Sequence, residues 1–127
     1  MRAFQLCFQI DENFAKDPGF VYYDFNKLED VPQELHNTFA MIVVDPPFIT
    51  REVWEKYAAA IKLLIREDGR VLLSTIDENE AMIKELTGCD RKAFRPSIPN
   101  LVYQYSFYSN YESEAINTKN PEIPDFE

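Results

Sequence analysis

The sequence predicts an α/β domain built on a mostly parallel sheet, with an antiparallel strand pair at its C-terminal end. Three observations carry this. Apolar and alternating runs of strand length are interleaved with amphipathic stretches of helical period. The most apolar run, FAMIVV at 39–44, is continuous rather than alternating, as in strands covered on both faces of a parallel sheet. The last two runs are separated by only a short Pro-Asn turn, a connection too tight for anything but antiparallel pairing.

Taken in order, AFQLCFQI at 3–10 alternates and reads as a strand. DENFAKDPG follows as a loop or a short helical turn, with Asp17-Pro18-Gly19 as its turn signal. FVYYDF at 20–25 is a second strand, rich in aromatics and valine. NKLEDVPQEL is polar and crosses over to the third strand, FAMIVV. After DPPF, Thr50 is placed to cap a helix in which Val53, Tyr57, Ile61 and Leu64 form one apolar stripe. Glu67-Asp68-Gly69 ends that helix, and RVLLSTI is the fourth strand. Asp77 and Glu80 have capping-box spacing for a second helix, closed by Gly88. Residues 91–97 and 101–109 form the terminal strand pair. The polar tail from 112 onward is expected to fray, so 1–113 reads as the domain and 114–127 as a tail.

At 127 residues the chain has the size of one domain, and its 46% hydrophobic content is enough for a packed core. Net charge is −9, which argues against nucleic acid held through its phosphates and favours a basic protein partner. Cys7 and Cys89 are too few and too scattered for a disulfide framework or a zinc site, so no metal is expected. Free thiols fit a reducing compartment, and no signal or stop-transfer pattern is visible. The expected setting is cytoplasmic, away from membranes. His36, in a polar crossover, reads as a surface residue. Trp54 reads as core, and Arg91, Lys92 and Arg95 as mixed solvated charge.

The chemistry concentrates in Asp45-Pro46-Pro47-Phe48, directly after the most apolar strand. Ligands of open parallel sheets bind at the carboxyl ends of strands. Both prolines lock φ, and the first pushes Asp45 into an extended conformation. The carbonyls of Asp45 and Pro46 then have few local donors. A carboxylate beside a fixed carbonyl suits a group with two N–H donors, such as an amine, and the aromatic can face a cation or stack on a ring. Asp11 and Asp24 are further acidic residues near strand ends.

The segments FVYYDFNKLEDVPQEL, VVDPPF with ITREVWEKYAAAIKLL, GRVLLST and NLVYQYSFYSNYES occur in an order and spacing that resembles the probable adenine-N6 methyltransferases. The best understood members of that family are lysine methyltransferases of translation elongation factor 1-alpha. The resemblance covers residues 4–113. It implies a Rossmann-like methyltransferase sheet, S-adenosylmethionine as donor, and a protein substrate, elongation factor 1-alpha. Asp45, Pro46, Pro47 and Phe48 match the motif that holds the acceptor nitrogen. Asp24 matches the acidic position near the adenine end of the donor. Asp11, or Gln9 in its place, falls where the ribose hydroxyls are held. Asn110 and Tyr111 match the family ending and are expected to pack rather than react. The alternatives are an adenine methyltransferase acting on nucleic acid and a non-catalytic binding module.

One departure is expected to matter. The chain starts at what corresponds to the family's second strand, and none of its three glycines forms a glycine-rich loop after a strand. The sheet would then lack its first, central strand, leaving two strands on one side and four on the other with open edges between. The expectation is a fragment inactive by itself. The alternatives are a partner chain that completes the sheet and a rearrangement that closes the gap.

Overall fold

The computed structural model describes residues 7–9, 20–22, 27–45, 50–97 and 103–121. Among these residues six strands fall into two sheets. β1 (Cys7–Gln9) and β2 (Phe20–Tyr22) form a parallel pair, with Phe8 opposite Val21. β3 (Phe39–Val44), β4 (Ile65–Ile76), β5 (Asp90–Arg91) and β6 (Tyr105–Ser109) form the second sheet, in the order β3-β4-β6-β5. β3 and β4 are parallel, while β6 is antiparallel to both β4 and β5. Among the described residues β3 pairs with β4 alone, so this sheet ends at β3. Among the described residues the strands thus divide into a pair and a set of four.

Helix α1 (Arg51–Leu64) connects the parallel strands β3 and β4. Its start is capped as expected: the Thr50 hydroxyl accepts the Val53 N–H at 3.4 Å. The buried stripe is Trp54, Ala60, Ile61 and Leu64; Tyr57 packs against it and Val53 is half-exposed. The face is turned toward Trp54 because that largest side chain removes most apolar area from water.

The other end of α1 is closed from a distance. A helix leaves its last carbonyls unpaired. Asn37 sits in the left-handed region at φ 57° and donates its N–H to the Leu63 carbonyl at 2.8 Å. Its side-chain amide donates to the carbonyls of Lys62 and Ile65, at 3.3 and 3.0 Å. Asparagine tolerates this backbone region better than most residues. Asn37→Ala loses both side-chain bonds and strains the backbone, an expected cost of about 2 kcal/mol by urea denaturation. Asn37→Gly should recover the backbone part of that loss.

The expected Glu67-Asp68-Gly69 turn exists, but as a bulge inside β4 rather than before it. Phe39 pairs with Ile65 and Met41 with Arg70, so four residues of β4 bow out. Asp68 takes φ 65° there, and a Cβ on Gly69 would lie 2.2 Å from Ile65 Cγ1. Asn110 staples the bulge: its Oδ1 accepts the Val71 N–H at 2.7 Å and its amide donates to the Gly69 carbonyl at 3.1 Å. Arg70 lies over the Tyr111 ring, 5.1 Å from its centroid. The expected packing roles of Asn110 and Tyr111 are therefore seen.

Helix α2 (Glu80–Thr87) follows a 3-10 turn at Asp77–Asn79. Gly88 closes it at φ 75°, donating to the Lys84 carbonyl. The expected capping box does not form, because Asp77 is engaged elsewhere. Between α1, α2 and one face of the sheet lies the core: Val44, Trp54, Ile61, Val71, Leu73, Ile83, Cys89 and Tyr108. Burial pushes the Cys89 thiol up, as befits an inert packing residue. The Tyr108 hydroxyl donates to the Ile76 carbonyl at 2.9 Å, and burial pushes the phenol up.

Three expectations need correction. FAMIVV is covered on one face only. Ile42 and Val44 point into the core, whereas Met41 is 42% exposed and Val43 67%. Among the described residues α1 and α2 both pack on the same side of the sheet, which leaves the other side of β3 bare. The strand expected at 91–97 shrinks to Asp90–Arg91. Past Lys92 the backbone changes partner, and the Phe94 N–H donates to Ile116 in α3 (Glu114–Asn117). Phe94 still stacks on Phe107, with centroids 6.1 Å apart. The third correction concerns the tail, which is docked through residue 121 rather than frayed. Buried Asn120 donates to the Arg95 carbonyl at 2.7 Å.

Lys92 explains part of that docking. Its side chain is 7% exposed and its ammonium donates to Glu112 Oε1 at 2.8 Å. The Lys92 hydrogen bond, and then that of Asn117, hold the Glu112 carboxyl below its ordinary 4.5. A depressed carboxyl stabilises the fold above its unfolded value, and that contribution is lost as pH falls through the depressed one. Glu112→Gln should therefore lower the melting temperature at pH 7 and flatten its decline below about pH 4.5, in a pH series of thermal melts.

Candidate active site

The parallel register of β3 and β4 places Val44 beside Leu73, so the next residues, Asp45 and Ser74, come together at the carboxyl end of β3. Val44 and Leu73 point into the core. By strand alternation Asp45 and Ser74 point to the opposite, open face. The Ser74 hydroxyl donates to Asp45 Oδ1 at 2.7 Å. Asp45 is exposed, and among the described residues its second carboxylate oxygen has no hydrogen-bond partner. An amine N–H fits that acceptor.

A second polar group lies at the carboxyl end of β4. Asp77 accepts from the Ser106 hydroxyl and faces two guanidinium groups, Arg95 at 3.2 Å and Arg91 at 3.7 Å. Arg91 also lies 3.8 Å from Glu80. Arg91, Lys92 and Arg95 are thus internal counter-ions, and their positive charge is answered within the fold. His36 is half-buried rather than on the surface, with Nε2 3.3 Å from the Val31 carbonyl. A carbonyl only accepts, so that nitrogen carries the proton. Trp54 is fully buried in the core.

Of the residues singled out in the sequence, Asp45 is placed here. Pro46, Pro47, Phe48, Asp11, Asp24 and the side chain of Gln9 lie outside the described residues. Ser74 was missed. Its signal was visible in RVLLSTI, where a hydroxyl interrupts an apolar strand one residue past the middle of the run. Only the pairing of β4 with β3 shows what that hydroxyl meets. Among the described residues no cluster of His, Cys, Asp or Glu is arranged to hold a metal ion. None of their helices is long and apolar enough to cross a membrane.

The family model for Probable N6-adenine methyltransferase matches residues 2–113. This chain belongs to the N6-adenine methyltransferase family. Its α/β arrangement, with a mixed four-stranded sheet and helices, is that of a Rossmann-like methyltransferase fold. The family includes relatives with protein substrates in their names. A protein-lysine N-methyltransferase of Caenorhabditis elegans is 37% identical over 109 residues, covering 84% of this chain and 50% of the relative. The human EEF1A lysine methyltransferase 1 is 32% identical over the same length and coverage. A protein-lysine N-methyltransferase of Dictyostelium discoideum is 33% identical over 119 residues, covering 89% of this chain and 55% of the relative. The chain thus spans about half the length of these curated relatives. The family's "N6-adenine" label and its relatives' "lysine" names both denote an acceptor nitrogen bearing N–H groups.

Proposed function

We propose that the chain carries the acceptor side of an S-adenosylmethionine-dependent protein-lysine N-methyltransferase, with elongation factor 1-alpha as substrate. The observation that carries this reading is the exposed Asp45 carboxylate at the end of β3, tied down by Ser74 through one oxygen and open at the other. The relatives' lysine methyltransferase names support a protein acceptor, and the net charge of −9 suits a basic one.

In this reading a lysine reaches Asp45 and loses its proton to solvent. Asp45 accepts an N–H from the neutral amine and aims the lone pair away from the sheet. As the new N–C bond forms, positive charge develops on the nitrogen, and the nearby carboxylate stabilises it. When bound, the donor would supply a methyl group on a sulfonium sulfur, which would keep the electrons of the broken S–C bond and depart as a neutral thioether. Asp11 and Asp24 are the residues proposed to hold it; carboxylates have the acceptor chemistry that ribose hydroxyls and an adenine amino group require. A cytoplasmic setting follows from the proposed substrate.

We place the partner strand that would complete the sheet along the free edge of β3, which among the described residues pairs with β4 alone. The deciding experiment incubates the full-length protein with radiolabelled S-adenosylmethionine and either elongation factor 1-alpha or adenine-containing oligonucleotides. Label on a lysine of the factor is expected. Label on the oligonucleotide alone would sink the reading.

A further inference from the structure

Ser74 stands out once the sheet is assembled. On the face of β4 turned away from α1 and α2 its neighbours two residues away are Leu72 and Ile76, and its cross-strand partner on β6 is Phe107. A position among those three favours an apolar, β-branched residue by packing alone. Serine instead directs its hydroxyl sideways, across the parallel pair, onto Asp45 Oδ1 at 2.7 Å. Asp45 follows the last residue of β3 and is exposed, so little else among the described contacts limits its χ1 and χ2.

We propose that Ser74 is a positioning residue for the acceptor carboxylate. It fixes the rotamer of Asp45, occupies Oδ1, and leaves Oδ2 and the Asp45 carbonyl as the pair that receives the acceptor amine. This rests on the reading of Asp45 given above. Ser74 touches neither substrate nor donor, and acts only through the carboxylate. The consequence is a division of labour: β3 supplies the charge and β4 its aim. A carboxylate free to rotate would still attract the amine but would hold its lone pair on line less of the time. Misplacement on the scale of 1 Å can cost about 100-fold in rate.

The test uses full-length protein carrying Ser74→Ala, Ser74→Thr, Asp45→Ala and the Asp45→Ala/Ser74→Ala pair, with labelled S-adenosylmethionine and elongation factor 1-alpha. Ser74→Ala should lower kcat about 10- to 100-fold. KM for both substrates should stay within about twofold and the thermal midpoint within about 2 °C, because no binding contact or core volume is lost. Ser74→Thr keeps the hydroxyl and should restore most of the rate. In the Asp45→Ala background Ser74→Ala should cost nothing more, since its target is gone. If Asp45→Ala is inactive but Ser74→Ala turns over normally, the positioning role falls and the site reading stands. If Asp45→Ala itself turns over normally, both fall. A Ser74→Ala loss that tracks a drop in the thermal midpoint and is not rescued by threonine identifies a merely structural residue and overturns the proposal.

Discussion

Asp45→Ala is expected to lower kcat of the full-length methyltransferase by about 100- to 1,000-fold, the usual effect of removing one preorganised group that stabilises developing charge. The loss should sit in kcat more than in KM. Under the proposed function a lysine substrate would bring most of its binding area from elsewhere, whereas the carboxylate would act where positive charge grows on the nitrogen. Asp45→Asn sharpens the test. It keeps an oxygen to accept from the amine and one to receive the Ser74 hydroxyl only if a single oxygen serves both, so it should fall between alanine and wild type. Steady-state kinetics with labelled donor separate the three. Full activity in Asp45→Ala would remove the central residue of the proposed site.

Trp54→Ala is expected to cost about 3–5 kcal/mol of stability, read from urea unfolding of the full-length protein. Trp54 has no exposed surface and packs in the core with Val44, Ile61, Leu73 and Ile83. Its ring lies 6.2 Å from that of Tyr57. Removing it opens a cavity at the junction of α1 and the sheet, next to the strand that carries Asp45. The indole N–H is buried with no hydrogen-bond partner among the described residues, which itself costs about 1–3 kcal/mol. Trp54→Phe removes that unmet donor along with some packing, and the two effects oppose. We expect a net change of about 1 kcal/mol or less. A loss as large for phenylalanine as for alanine would show that the N–H is satisfied in solution.

Much of the fold was legible because its signals are local. The continuous run at 39–44, Thr50 before a helical period and Gly88 after one each depend on the conformational preferences of neighbouring residues. The misreadings share a different cause. Residues 91–97 have the composition of a strand, but a strand needs a partner, and past Lys92 the backbone bonds to the C-terminal segment instead. Asp77 and Glu80 have the spacing of a capping box, but Asp77 is drawn to Ser106 on β6 and to Arg95 in the segment after β5. The tail is polar and proline-bearing, yet Asn120 finds a buried carbonyl to satisfy.

The site divides along the same line. By itself the sequence determined where the proposed acceptor site would lie: a carboxylate followed by two prolines and an aromatic, directly after the most apolar strand. It also determined the family, since the motif segments lie in order along the chain and the family model matches residues 2–113. The tertiary structure alone decided that Ser74 holds Asp45, that Asn110 staples a bulge opposite it in chain order, and that β3 is bare on one face. Each of these joins residues about 29 or more positions apart, or depends on which face two helices cover. Hydrogen bonds and burial act through space, and the pairing register that brings such groups together is set by the whole sheet rather than by any one segment.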